Sequence, residues 1–177
     1  KHYQGICHVY VDEKADLEMA TRIAINAKCQ RPGVCNAMET LLVHRGVSAE
    51  FLKEAAPAFQ QRGVEIRADQ IAYAQLATLN YQPLVRAEEK DWSTEYLDTI
   101  MSLRVVDDLN QAIDHMERYG SHHSDAIVTR DAEAAENEVV DARVRLADAL
   151  DARLDDDVEG QAVEGVRLGA AVGCGPI

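Results

Sequence analysis

Residues 30–43 read Gln30-Arg31-Pro32-Gly33-Val34-Cys35-Asn36-Ala37-Met38-Glu39-Thr40-Leu41-Leu42-Val43. The first part is polar and contains Pro32 and Gly33, which favour a tight turn, and the last part is an apolar run typical of a buried strand. The turn is therefore predicted to deliver the thiol of Cys35 to the mouth of a sheet. A thiol in such a place suits nucleophilic chemistry, because a thiolate attacks acyl carbon well. On spacing alone, a buried structural thiol stays open as the alternative interpretation.

Strand and helix patterns alternate along the rest of the chain. Strands are predicted at residues 6–12, 40–44, 64–67, 100–106 and 126–129, and helices at 15–28, 48–62, 69–77 and 109–119. Residues 80–94 are expected to be irregular, and Lys28 is assigned to the helix dipole of its last turn. The alternation predicts an α/β fold, a three-layer αβα arrangement with a mostly parallel sheet. Active sites in such sheets are expected beyond the carboxyl ends of the strands.

Length and composition limit the possible functions. A chain of 177 residues suits one core, and its net charge of −13 argues against non-specific nucleic-acid binding and against anionic membranes. No apolar run approaches the roughly 20 residues of a membrane span. The cysteine spacing fits no common zinc pattern, so no metal site is predicted and the thiols are interpreted as reduced, in a cytoplasmic protein. The cysteines are Cys7, Cys29, Cys35 and Cys174.

Several blocks, in order, resemble the gamma-glutamyl phosphate reductase family, also called glutamate-5-semialdehyde dehydrogenases. The most specific block is the stretch from Arg31 to Thr40. The others lie at residues 5–12, 26–28, 95–98, 112–115, 119–121 and 124–129, including Gly5-Ile6-Cys7-His8-Val9-Tyr10-Val11-Asp12 and Ser124-Asp125-Ala126-Ile127-Val128-Thr129. The resemblance runs to about residue 136. Residues 1–135 are therefore predicted to be a catalytic α/β domain, and residues 136–177 a divergent helix followed by a Gly-rich tail.

The resemblance implies an aldehyde-dehydrogenase-like catalytic domain and a specific reaction. That reaction is the NADPH-dependent reduction of L-glutamyl 5-phosphate to L-glutamate 5-semialdehyde, with release of phosphate, in proline biosynthesis. It implies that Cys35 is the nucleophile and forms a thioester. Glu95 would hold the ribose of the nicotinamide cofactor, with a surface carboxylate as the alternative. Arg31 and Asn36 flank the thiol and would either bind the phosphate or carboxylate of the substrate or fix the loop.

The nucleotide-binding portion of the family is expected to lie outside this chain, together with the oxyanion donors and most cofactor contacts. The preferred interpretation is the catalytic portion of an enzyme acting on a small molecule. One alternative is a non-catalytic fragment that keeps the fold, and another is a site completed by a separate nucleotide-binding chain. Homo-oligomerisation stays open.

Overall fold

The computed structural model of the chain describes residues 5–131. Within this range six strands alternate with four α-helices and one 3₁₀-helix, Glu89–Ser93. The strands are β1 (Cys7–Val11), β2 (Met38–His44), β3 (Glu65–Ala68), β4 (Leu84–Arg86), β5 (Ile100–Val106) and β6 (Asp125–Val128). The helices are α1 (Leu17–Cys29), α2 (Arg45–Gln61), α3 (Gln70–Thr78) and α4 (Leu109–Tyr119).

The six strands form one sheet in the order β4-β3-β5-β2-β1-β6, and every neighbouring pair is parallel. Side chains of a strand alternate between its faces, so Val9 and Val11 of β1 join the larger aliphatic core with α1, α2 and α3. Tyr10 faces the other way and packs with Ala112 and Met116 of α4. The predicted three-layer fold with a parallel sheet is therefore confirmed.

Acidic side chains at the N-terminal ends of three helices explain where those helices begin. Asp16, Asp69 and Asp108 accept hydrogen bonds from backbone N–H groups three residues later, at 3.0, 2.7 and 2.8 Å. Helix α4 has the predicted bounds, and Gly120 follows it directly.

The predicted start of α2 at Ser48 is wrong. The helix begins three residues earlier, because the Nδ1 atom of His44 accepts the Gly46 N–H at 3.1 Å and serves as the cap. Ser48 is fully buried inside the helix, and its hydroxyl donates to the carbonyl of Arg45 at 3.0 Å. A serine hydroxyl can therefore bond to the backbone from inside a helix as well as from its cap position.

The interpretation of residues 80–94 as wholly irregular is also wrong, because it misses β4 and the 3₁₀-helix. Strand β4 has three residues and pairs with β3 through the register Ile66↔Leu84. It lies at the edge of the sheet, and its three residues are too few to show an alternating pattern in the sequence.

The predicted domain boundary at residue 135, the helix after it and the Gly-rich tail lie outside the described residues. In residues 5–131 no helix has the length and apolar character needed to span a membrane.

Candidate active site

The loop that carries Cys35 connects the end of α1 to the start of β2. Inside it, the Val34 N–H donates to the Arg31 carbonyl at 3.4 Å, and the Ala37 N–H donates to the Val34 carbonyl at 3.0 Å. Cys35 is exposed on this turn as a free thiol. The buried structural thiol that spacing left open is therefore wrong for Cys35, and its role as a nucleophile stays a prediction.

The candidate residues Cys35 and Glu95 lie at the amino ends of the strands and not at the expected carboxyl ends. The Cys35 loop leads into β2, and the segment of Glu95 leads into β5. Strands β2 and β5 are parallel neighbours, so both segments meet at the same edge of the sheet. The carboxyl-end rule concerns ligands held by loops that follow strands. Here the residues singled out from the sequence stand in loops that precede strands.

Gly5 contacts both the loop that carries Cys35 and the segment that carries Glu95. Its N–H donates to Oε1 of Glu95 at 2.8 Å. A Cβ atom built at Gly5 would lie 2.1 Å from the carbonyl oxygen of Cys35, so no side chain fits there. Cys35 and Glu95 therefore have one neighbour in common, which places both segments around a single site.

A second cysteine supports the loop from inside the sheet. Cys7 is buried, and its Sγ donates a hydrogen bond to the carbonyl oxygen of Cys35 at 3.2 Å. Burial, together with the charge of Asp125, raises the pKa of the Cys7 thiol above its ordinary value. Cys7 therefore stays protonated at neutral pH and keeps the proton that it donates.

Glu95 is half-buried and uses one of its two carboxylate oxygens. Within residues 5–131 the structure records a hydrogen bond to Oε1 and none to Oε2. A carboxylate oxygen without a partner, beside an exposed loop, can accept hydrogen bonds from ribose hydroxyls. The residue thus fits the cofactor-binding role that the sequence suggests, and that role stays a prediction.

Arg31 and Asn36 lie on the same exposed loop as Cys35. In the part of the chain that the structure describes, neither side chain makes a hydrogen bond to the protein, although the Arg31 carbonyl accepts one. The alternative in which these side chains fix the loop therefore finds no support from side-chain hydrogen bonds. The guanidinium and amide groups remain available to an anionic ligand.

The sequence analysis missed a buried ion pair at the base of the loop. Lys28 Nζ and Glu39 Oε2 lie 2.9 Å apart, and both side chains are fully buried. Burial lowers the pKa of Lys28 and raises that of Glu39, and each partner opposes the shift of the other. Lys28 therefore does more than balance the helix dipole. The available signal was a glutamate inside the apolar β2 and a lysine of opposite charge at the other end of the loop.

The opposite face of the sheet holds buried histidines. His8 of β1 bonds Asp125 at 2.7 Å, and His115 of α4 bonds Arg104 at 2.8 Å through Nδ1. The two imidazole centroids are 5.5 Å apart. Across residues 5–131 no three His, Cys, Asp or Glu side chains are grouped so that they could hold a metal ion.

Comparison with known proteins assigns the fold to a class. No family model matches the chain. Solved structures that share the fold include the following two. An acetylating aldehyde dehydrogenase from Geobacillus thermoglucosidasius has a TM-score of 0.58 at 19% identity, over 78% of this chain and 38% of its own. A gamma-glutamyl phosphate reductase from Thermotoga maritima has a TM-score of 0.72 at 41% identity, over 77% of this chain and 32% of its own. The domain therefore has the α/β fold of aldehyde-dehydrogenase-type proteins.

Sequence relatives narrow the class further. Gamma-glutamyl phosphate reductase from Methanosarcina barkeri is 49% identical over 131 residues, which is 74% of this chain and 29% of that protein. The protein of the same name from a Cyanothece species is 52% identical over 134 residues, 76% of this chain and 30% of its own length. The chain is thus homologous to one part of gamma-glutamyl phosphate reductase, and it spans about 30% of the length of the curated relatives it matches.

Proposed function

We propose that the chain is the catalytic portion of an NADPH-dependent reductase that converts L-glutamyl 5-phosphate to L-glutamate 5-semialdehyde, with Cys35 as the nucleophile. The observation that carries the proposal is the placement of the exposed thiol loop against the Glu95 segment through Gly5. The identity of about 50% to proteins named gamma-glutamyl phosphate reductase supports the choice of substrate.

The proposed chemistry begins at the Cys35 sulfur. The thiolate attacks the acyl carbon, the C–S bond forms, and the C–O bond to phosphate breaks with the electron pair leaving on phosphate. The result is a thioester on Cys35. Its later reduction to a hemithioacetal allows the thiolate to leave again as the aldehyde is released. Arg31 and Asn36 would bind the phosphate or the carboxylate of the substrate, because both side chains are exposed beside the thiol.

The nicotinamide cofactor would supply the hydride for that reduction. Among the described residues, Glu95 would bind its ribose through the carboxylate oxygen that has no protein partner. Gly5 would orient this carboxylate, because its N–H holds Oε1 at 2.8 Å. Because Glu95 and Cys35 lie at the same edge of the sheet, a ribose bound by Glu95 would lie at the edge that carries the thiol.

Acyl transfer to the protein provides a test that needs no cofactor. The chain is incubated with glutamyl 5-phosphate formed in situ, and the products are digested and mapped by mass spectrometry. We expect one glutamyl group, bound through a hydroxylamine-sensitive thioester, on Cys35 and none on the half-buried Cys29. Cys35→Ser is the matched control and should carry no thioester.

Two outcomes would contradict the proposal. One is labelling of Cys35 and Cys29 at equal rates, since no activated nucleophile would then exist at position 35. The other is the absence of acylation on a chain whose Cys35 thiol still reacts with iodoacetamide. That result would favour the non-catalytic fragment. Calorimetry with NADPH, and then with an added nucleotide-binding chain, tests whether hydride chemistry needs a further domain.

A further inference from the structure

The buried pair Lys28–Glu39 lies at the two ends of the loop that carries Cys35. Lys28 stands in the last turn of α1, one residue before its end, and Glu39 is the second residue of β2. The residues between them include the exposed turn from Gly33 to Asn36. A contact of 2.9 Å across the base therefore closes this loop from inside the protein.

The same carboxylate also holds the segment of Glu95. Oε1 of Glu39 accepts the backbone N–H of Leu97 at 3.3 Å, while Oε2 bonds Lys28. Leu97 has a φ of 53°, a left-handed conformation that a leucine rarely adopts and that neighbouring contacts must maintain. On the other side of the segment, Glu95 accepts the Gly5 N–H. Glu39 thus connects the loop that carries Cys35 to the segment that carries Glu95.

We propose that Lys28 and Glu39 are a positioning pair that fixes Cys35 and Glu95 relative to each other. The proposal rests on the proposed function where it concerns acyl transfer. Two ionisable groups that are both fully buried are costly to desolvate, and an apolar pair of similar size is often as stable. Stability alone therefore does not account for the pair, whereas the two hydrogen bonds of one carboxylate account for its position between the loops.

Two double variants separate the functions of the pair. Lys28→Met with Glu39→Gln removes both charges but keeps an amide oxygen that can accept the Leu97 N–H. Lys28→Met with Glu39→Met removes that acceptor as well. The exposed pair Glu18 and Arg22, 3.2 Å apart on the same helix, provides the control in which both residues are changed to Met.

The first readout is amide hydrogen exchange by NMR, which requires no chemistry. In the Met/Met variant we expect exchange at Leu97 to be about fivefold faster or more than in the Met/Gln variant, since one hydrogen bond is lost. We expect acceleration also at Gly5, which does not contact Glu39 but bonds Glu95. Equal protection of the Gly5 amide in both variants, at equal melting temperature, would overturn the proposal.

The second readout is the saturation curve of Cys35 acylation. We expect the limiting rate to fall roughly 10- to 100-fold in the Met/Met variant, because a shift of about 1 Å in a reacting group has an effect of that size. The half-saturating concentration of acyl phosphate should change much less, and the Glu18/Arg22 control should match the wild-type curve. If wild-type Cys35 is not acylated at all, the proposed function fails, and the exchange data alone decide the positioning role.

Discussion

His115 should make the stability of the protein depend on pH in a specific range. The residue is 2% exposed, and its ring lies between those of Trp92 and Tyr119 at centroid distances of 5.4 and 4.7 Å. Arg104 can only donate, so its Nη1 atom bonds an unprotonated Nδ1 at 2.8 Å. A proton on Nδ1 would place two hydrogen-bond donors, and two positive charges, opposite each other. The ring is therefore held neutral in the folded state.

The pKa shift gives the size of the effect. Burial, with smaller contributions from His8, Arg104 and Arg118, lowers the pKa of His115 from 6.5 to about 3. A histidine with a depressed folded pKa binds its proton only on unfolding, so the stability that it contributes is complete above about pH 6.5 and is lost as the pH falls toward 3. Between pH 7 and pH 5 the free energy of unfolding should decrease by about 2 kcal/mol from this group alone.

Denaturant titrations at pH 7 and pH 5 measure this loss. The quantity of interest is the change in unfolding free energy between the two pH values, compared between wild type and His115→Gln. We expect the variant to lose about 2 kcal/mol less than wild type over this range. His122→Gln is the matched control, since the His122 side chain is 60% exposed. Equal pH dependence in wild type and His115→Gln would refute the reasoning, as would an NMR titration of His115 with a midpoint near 6.5.

Two further substitutions test the packing around the site and the core. Gly5→Ala should destabilise the protein by about 1–3 kcal/mol, because its Cβ would lie 2.1 Å from the Cys35 carbonyl oxygen. Gly33→Ala is the control, since its Cβ would meet its nearest atom at an ordinary 3.6 Å. Equal melting temperatures for the two variants would contradict the packing argument. Tyr81→Phe should lower the free energy of unfolding by about 1 kcal/mol, because the buried hydroxyl donates to the Val64 carbonyl at 2.6 Å. An unchanged urea midpoint would show that this hydrogen bond does not contribute to stability.

The sequence predicted the elements whose ends carry a local signal. Helix α4 has its aspartate cap at Asp108 and its glycine stop at Gly120 within the segment itself, so both ends could be predicted. The start of α2 could not, because Ser48 has a favoured cap side chain whereas the folded chain uses His44, which was assigned to the preceding strand. Strand β4 takes its conformation from pairing with β3, which no short-range pattern encodes.

The site was predicted to a similar extent. The motif around Cys35 predicted a turn that delivers a thiol to the mouth of a sheet, and in the structure this thiol is exposed on a turn. The residues singled out from the sequence lie at the amino ends of the strands and not at the carboxyl ends, because an alternating pattern does not show which set of loops holds a given residue. The Lys28–Glu39 pair was not predicted, because its importance depends on complete burial of both side chains. In the sequence alone, a lysine near the end of a helix is explained by the helix dipole.

The position of β5 between β3 and β2 has a consequence for the order in which the chain is made. The thiol of Cys35 belongs to the first third of the chain, whereas Glu95 arrives with the segment that leads into β5. Until β5 inserts, β2 and β3 have no shared neighbour, and each presents an open edge that can pair with another chain. A growing polypeptide therefore leaves this edge of β2 unpaired until about sixty further residues are synthesised, and this edge of β3 until about forty are. Insertion of β5 pairs both of these edges at once and removes them as sites of aggregation, whereas the Cys35 thiol stays exposed after folding.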